Sequence, residues 1–96
     1  MFARISTYKG SSARAVEASR QIEETTDRLQ AMTGFVGAYL LIDASSGKAL
    51  TITLWESAEA MQASAAAASP LRDMVAQALG AVEPPSVEVF EVLSRI

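Results

Sequence analysis

The chain has 96 residues, 50% of them hydrophobic, a formal net charge of −3, and neither cysteine nor histidine. This length predicts one domain over residues 1–96. The negative charge, without any lysine or arginine cluster, argues against nucleic acid as a partner. Disulfides, thiolate zinc sites and the commonest general base at neutral pH are excluded. With no signal peptide and no apolar run of about 20 residues, we expect a cytoplasmic protein without a membrane partner.

The first half of the chain predicts a strand, a helix and a second strand. Phe2–Tyr8 alternate loosely and include aromatic and β-branched residues, which is typical of a strand. Lys9–Ser12 form a turn whose serines suit a helix cap, and Ala13–Thr33 contain neither proline nor glycine. Gly34 is expected to end this helix, and Phe35–Asp43 to form the second strand.

The second half begins with a hairpin turn at residues 44–48, where Gly47 suits a positive φ. Ala49–Glu56 are the third strand, with Leu50, Ile52 and Leu54 on one side and Thr51, Thr53 and Trp55 on the other. Ser57 is expected to cap a second helix. That helix is expected to break at Ser69-Pro70, because proline favours the first position of a new helical segment.

After the break, apolar residues at helical spacing continue to Ala78, and Gly80 closes the segment. Two prolines then precede the last predicted strand, Val87–Leu93. The resulting order, β-α-β-β-α-β, predicts the α+β class: a ferredoxin-like sandwich with a four-stranded antiparallel sheet and both helical segments on one face.

The second predicted strand is apolar on both sides, whereas a sheet with one face in water alternates apolar and polar residues. One set is Val36, Ala38, Leu40 and Ile42, and the other is Phe35, Tyr39 and Leu41. The helices can cover only one set. We therefore expect a homodimer through the other sheet face, the alternative being a loop that folds beneath the sheet.

A resemblance accompanies this pattern. Gly-Phe-x-Gly before a strand (Gly34–Gly37), a glycine turn, and Thr-x-Thr-Leu-Trp-Glu-Ser (Thr51–Ser57) with a later Ser-Pro-Leu-Arg (Ser69–Arg72) resemble the dimeric α/β-barrel superfamily. Within it, the chain is most similar to antibiotic-biosynthesis-monooxygenase-type domains. The resemblance implies two sheets that face each other across a dimer, with a small-molecule pocket between sheet and helices in each subunit.

The resemblance also implies activities that this chain matches only in part. Members include cofactor-independent oxygenases of aromatic polyketides and quinones, and haem-degrading oxygenases whose pocket tryptophan corresponds to Trp55. The haem-degrading branch has a haem-ligating histidine where this chain has Val75-Ala76, and a first-strand asparagine where it has Ala3 or Arg4. Since the chain contains no histidine and no asparagine, the resemblance argues against haem degradation, and we expect no cofactor.

Four residues are candidates for the wall of a ligand pocket. Trp55 is suited to stack on a flat aromatic molecule, and Thr53 makes the same side more polar than a tight core would be. Tyr39 and Arg72 are candidates to orient the ligand, Arg72 by clamping an anionic group. Each also has a structural interpretation: a core anchor for Trp55, a strand residue for Thr53, a structural tyrosine, and a surface arginine on a helix. No catalytic residue is assigned.

Arg4 is expected on the same side of the sheet as Leu50, Ile52 and Leu54, where Glu88 or Glu91 would pair with it. For function, two hypotheses remain. The first is a cofactor-independent monooxygenase-like protein that binds a flat aromatic or quinone-like molecule. The second is a homodimer of the same fold that binds a ligand or is purely structural, without oxygenase activity, which the missing proton acceptors favour.

Overall fold

A computed structural model describes residues 1–96. The strands are β1 (Phe2–Lys9), β2 (Phe35–Ile42), β3 (Lys48–Trp55) and β4 (Ser86–Glu91), and the helices are α1 (Ala15–Glu24), α2 (Thr26–Gln30), α3 (Ala58–Ala63) and α4 (Ala65–Ala78). A short 3-10 turn, Ser12–Arg14, precedes α1. The four strands form one antiparallel sheet in the order β2-β3-β1-β4. The predicted ferredoxin-like fold is confirmed.

Each predicted helix is divided into two. In the first, Thr25 leaves the helical path, and its buried hydroxyl donates to the Ile22 carbonyl at 2.6 Å. In the second, the predicted break at Ser69-Pro70 is wrong, because Pro70 lies inside α4. The break falls at Ser64, whose hydroxyl donates to the Met61 carbonyl at 2.6 Å and so competes with the helical hydrogen bonds.

The hairpin turn at Gly47 and the end of α4 before Gly80 are as predicted, whereas α2 already ends at Gln30 and Gly34 lies in the turn before β2. Gly34, Gly47 and Gly80 have φ angles of +78°, +77° and +68°, a region that side chains other than glycine rarely occupy. A Cβ at Gly47 would lie 2.3 Å from the Gly10 carbonyl oxygen, so this turn has no room for a side chain. Ser57 caps α3 by accepting a hydrogen bond from the Ala60 backbone N–H at 3.1 Å.

All four helices lie against one side of the sheet, which we call the inner face. Arg4, Ser6 and Tyr8 of β1 point to it, as do the residues opposite them and along β3. On β3 and β2 the inner-face residues are Ala49, Thr51, Thr53, Trp55, Phe35, Ala38, Leu40 and Ile42. Side chains of α1, α2 and α4 meet these residues around one cavity, and α3 contacts Arg4.

The other side of the sheet, the outer face, is not covered by any helix. Its β1 and β3 residues are Ala3, Ile5, Thr7, Leu50, Ile52 and Leu54. Toward the two edges it continues through Gly37, Tyr39 and Leu41 of β2 and through Ser86, Glu88 and Phe90 of β4. Tyr39, Leu41 and Phe90 are 54%, 45% and 48% exposed, so large apolar side chains remain in water.

A β-bulge divides the residues of β2 differently from a simple alternation. Phe35 pairs with Trp55 and Gly37 pairs with Leu54, so Val36 is the extra residue between them. Phe35 therefore lies on the inner face, not with Tyr39 and Leu41 as the sequence pattern predicted. Its ring meets the Trp55 ring edge-to-face, with centroids 5.5 Å apart.

The apolar core lies at one end of the space between sheet and helices. Tyr8 and Ala49 from the sheet pack there against Ala18 of α1 and against Val75 and Leu79 at the end of α4. Val16, near the start of α1, is 84% exposed, and the nearby buried position is Ala18. Only 14 of the 96 residues are buried, so this core leaves part of the interlayer space for other uses.

Candidate functional site

A cavity lies between the inner face and the helices, next to the core. Its floor consists of alternate residues of β1 and β3, and its walls come from α1, α2 and α4. The free volume of the cavity is about 60 Å³, and about 560 Å³ when the solvent in its open mouth is included. The main lining residues are Arg4, Ser6, Tyr8, Thr25, Leu29, Thr51, Thr53, Trp55, Leu71, Arg72 and Val75.

Trp55 forms the end of the cavity near the start of β1. Its indole N–H donates to the Thr53 hydroxyl at 2.9 Å, and Phe35 packs against its edge. The Arg4 guanidinium carbon lies 5.6 Å from the centre of the Trp55 ring, within the range of a cation–π contact. Because these neighbours cover it, Trp55 exposes no surface to water, although it is part of the cavity wall.

Arg4 is the residue that the sequence pattern placed on the wrong face. It pairs with Thr53 across the β1–β3 ladder, so it points to the inner face and away from Glu88, and it forms no ion pair with Glu91. It is 8% exposed and donates to the Met61 carbonyl at 2.6 Å and to the Ser64 hydroxyl at 3.2 Å. The guanidinium thereby stabilises the junction between α3 and α4, and its charge faces the cavity.

Tyr8 lies at the opposite end of the cavity floor and is 1% exposed. Its hydroxyl shares a hydrogen bond of 3.2 Å with the Thr51 hydroxyl. Burial raises the pKa of Tyr8, because the phenolate would lose its hydration; the hydrogen bond from Thr51 and the charge of Arg72 oppose this. Tyr8 therefore stays neutral at physiological pH, able to donate or accept a hydrogen bond but not to act as a base.

The four predicted wall residues all border this cavity: Trp55, Thr53, Tyr39 and Arg72. Thr53 and Trp55 are on its floor, and Arg72 projects from α4 with partial exposure. Tyr39 differs from the others, because it pairs with Ile52 and its side chain therefore belongs to the outer face. It reaches the cavity only at the β2 edge. Thr25 and Ser6, both buried, are further polar wall residues.

The ionisable residues of the cavity wall are two arginines and two tyrosines, without any carboxylate. Burial lowers the pKa of Arg4, and the positive charge of Arg72 lowers it further. The cavity thus carries the positive charges of two arginines.

The structure contains no group of three or more carboxylate side chains placed to hold a metal ion. None of the helices has the length and apolar composition required to cross a membrane.

Comparison with known proteins gives relatives in sequence and in structure. No family model matches the chain. Over 64 residues, 67% of its length, the chain is 42% identical to the uncharacterized protein Rv2557 of Mycobacterium tuberculosis. The match spans only 28% of that relative, so the chain corresponds to little more than a quarter of it.

Two solved structures share the fold along nearly the whole chain. A monooxygenase from the gene ActVA-Orf6 of Streptomyces coelicolor, in complex with nanaomycin D, has a TM-score of 0.75 and 18% identity, over 99% of this chain and 89% of that one. The heme-degrader MhuD of Mycobacterium tuberculosis, with two hemes in its active site, has a TM-score of 0.70 and 24% identity, over 100% and 99%. This likeness confirms the fold that the resemblance implied, a ferredoxin-like sandwich with one four-stranded antiparallel sheet.

Proposed function

We propose that the cavity binds a flat aromatic or quinone-like molecule and that the protein is a cofactor-independent monooxygenase-like domain over residues 1–96. The observation that carries this proposal is the cavity itself, an opening between sheet and helices bounded by Trp55 and by the aliphatic side chains of α2 and α4. Its free volume of about 60 Å³ is smaller than that of formed small-molecule sites, so a ligand must widen the open mouth as it binds. The nanaomycin complex of the Streptomyces structure supports this ligand class.

The small free volume of the cavity, about 60 Å³, limits how a ligand can bind. A bicyclic ring is larger than this space, so part of it lies in the mouth, between Leu29 of α2 and Arg72 of α4. Both side chains are only partly buried and can move aside at little cost. A ligand that reaches Trp55 takes a place beside the Arg4 guanidinium.

The binding test closes the cavity without removing any of its polar groups. Ala68 of α4 lines the cavity, whereas Ala67, its neighbour on the same helix, is exposed. We expect Ala68→Phe to abolish binding of 2-hydroxy-1,4-naphthoquinone in isothermal calorimetry, and Ala67→Phe to bind as the wild type does. Trp55 is the only tryptophan, so its fluorescence provides a second readout in both variants. Equal binding by the two variants would place the ligand elsewhere.

Oxygenase activity is tested separately from binding. Oxygenation of an anthrone converts a ring CH2 to a carbonyl and consumes one O2, with one water released. We expect oxygen uptake with anthrone that exceeds the rate in buffer and is lost in Ala68→Phe. Binding without oxygen uptake would support the second candidate, a non-catalytic ligand-binding protein. The lack of a wall residue that accepts a proton near neutral pH favours this candidate.

We further propose that two copies of the chain pair through their outer faces. The argument is the uncovered apolar surface of the outer face, where Tyr39, Leu41 and Phe90 are about half exposed, because burying such side chains completely gains up to about 1.5–3 kcal/mol each. Sedimentation velocity at micromolar concentration should give a dimer. A monomer that stays folded and soluble at this concentration would contradict the proposal.

The cytoplasmic location stays a prediction, which cell fractionation would test.

A further inference from the structure

The charge of Arg4 has no counterion. Its hydrogen-bond partners, the Met61 carbonyl and the Ser64 hydroxyl, are both neutral. The ion pairs of the molecule are Lys9 with Glu83 and Arg20 with Glu17, all at the surface. Arginine is rarely buried to this extent without a carboxylate, because removing the charge from water costs several kcal/mol unless an anion is close.

A second cation faces the same space. Arg72 lies on the cavity wall, and its charge acts on both Arg4 and the Tyr8 hydroxyl. Since no carboxylate lines the cavity, the two guanidinium groups repel each other across a region of low dielectric constant. An anion between them would offset both the repulsion and the desolvation of Arg4.

The cavity also has no group that would ionise a neutral ligand. The chain has no histidine, and Tyr8 and Tyr39 are the only wall residues with an acidic proton. Burial raises the pKa of Tyr8, which therefore keeps its proton, and the side chain of Tyr39 belongs to the outer face. A ligand that is negatively charged inside the cavity must therefore enter it in the ionised form.

We infer that the ligand enters the cavity as an anion: a flat aromatic ring with a carboxylate or ionised hydroxyl oxygen that pairs with Arg4 and Arg72. The inference rests on the proposed function and specifies its substrate class. Arg4 meets the anionic oxygen from the floor of the cavity and Arg72 meets it from the mouth. Guanidinium groups suit this role, because their planar N–H groups donate to two oxygens at once.

The test compares ligands of equal size and different charge. One pair is 2-hydroxy-1,4-naphthoquinone, which is ionised at neutral pH, and 2-methyl-1,4-naphthoquinone, which is neutral. The other is 2-naphthoate and its neutral amide, 2-naphthamide. In isothermal calorimetry we expect the anion of at least one pair to bind about tenfold more tightly or better. The pair with the larger ratio identifies the anionic group as a carboxylate or an ionised hydroxyl. The chain has no cysteine for the quinones to modify.

Substitutions test whether Arg4 and Arg72 cause the preference for the anionic ligand. Arg4→Gln and Arg72→Gln should each reduce the ratio to less than about threefold, while Arg4→Lys retains part of it. Arg28→Gln, a charge loss on the exposed surface of α2, should leave the ratio unchanged. If Arg4→Gln does not fold, Arg72→Gln and Arg4→Lys carry the test, since neither removes the buried charge.

Three outcomes would overturn the inference. Equal affinities within both pairs would refute the anionic ligand and leave the proposed function standing, because the ring would still bind. A ratio that neither arginine substitution changes would refute the assignment to Arg4 and Arg72. If no ring binds to the wild type, the proposed function fails, and the inference fails with it.

Discussion

The two faces of the sheet have the opposite polarity from the one expected of a sheet with one side in water. On β1 and β3 the side chains toward the helices include Arg4, Ser6, Thr51 and Thr53, whereas those pointing away are mostly aliphatic. A monomer normally places apolar side chains inside and polar ones outside. The inner face is thus suited to the proposed ligand, and the outer face to the proposed second copy of the chain.

The two faces also differ in how their polar groups are satisfied. Every buried side-chain nitrogen and oxygen atom has a hydrogen-bond partner, so the polar groups of the inner face are already paired. The outer face has little to satisfy, but its edge residues, including Tyr39 and Phe90, remain about half exposed. The inner face therefore gains from a ligand through charge, and the outer face gains from a partner through buried area.

The largest effect is expected from a charge at the centre of the outer face. Ile52 lies on a central strand opposite Ile5, so Ile52→Asp would bury a carboxylate between two sheets without a partner. We expect the dimer to dissociate at micromolar concentration in sedimentation velocity. Val16→Asp makes the same change on the exposed surface of α1 and should leave the dimer intact. A dimeric Ile52→Asp protein would show that the chains associate through another surface.

The second largest effect is expected from removing the guanidinium of Arg4 on the inner face. Arg4→Met keeps the length of the side chain but removes the hydrogen bonds to the α3–α4 junction. We expect the free energy of unfolding to fall by about 1–3 kcal/mol, since bonds from a charged donor are lost while the desolvated charge is also removed. Urea unfolding followed by circular dichroism measures the change. Arg28→Met is the surface control and should alter stability by less than about 0.5 kcal/mol.

A smaller effect tests whether the bulge in β2 has free space around it. Gly37 lies on the outer face, its φ is not positive, and a Cβ there would meet no atom of the chain within 4 Å. Gly37→Ala should therefore increase the free energy of unfolding by about 0.4–1 kcal/mol, through a less flexible unfolded chain. Destabilisation in urea, together with weaker dimerisation, would show that a partner copy occupies this space.

The smallest effect is a pH dependence that originates at Tyr8. Burial raises the pKa of Tyr8 in the folded state above its value of about 10 in the unfolded chain. The unfolded state therefore loses its proton first, and stability falls as the pH rises above about 10. Melting temperatures from pH 8 to about 11 should decline less in Tyr8→Phe than in the wild type. Equal slopes for the two proteins would contradict this explanation.

The sequence predicted the elements of this fold well because their signals are local. Strand alternation, Ser57 as a helix cap, and glycines at the helix and hairpin ends act within a few residues of the chain. The predicted break at Pro70 failed because proline is only one of several local preferences. The contact of Arg4 with Ser64 and Met61, from a strand far away in the chain, stabilises the interruption at Ser64 instead.

The candidate site was predictable only along β3. The alternation of Thr51, Thr53 and Trp55 against Leu50, Ile52 and Leu54 marked one polar and one apolar side, and the structure places the polar side on the cavity floor. Arg4 was missed, although the same signal was present in β1: polar residues alternate there with Ala3 and Ile5. A sequence shows such an alternation without showing which set faces the helices.

The sequence by itself determined the order of the elements, the doubly apolar second strand and the absence of histidine and cysteine chemistry. Only the tertiary structure decided which side chains share the cavity. Cross-strand register placed Arg4 beside Trp55, and the bulge at Val36 moved Phe35 to the inner face. The physical reason is that side chains alternate with a period of two, so a shift of one residue in pairing exchanges the faces of a strand. That pairing is set by contacts between distant segments.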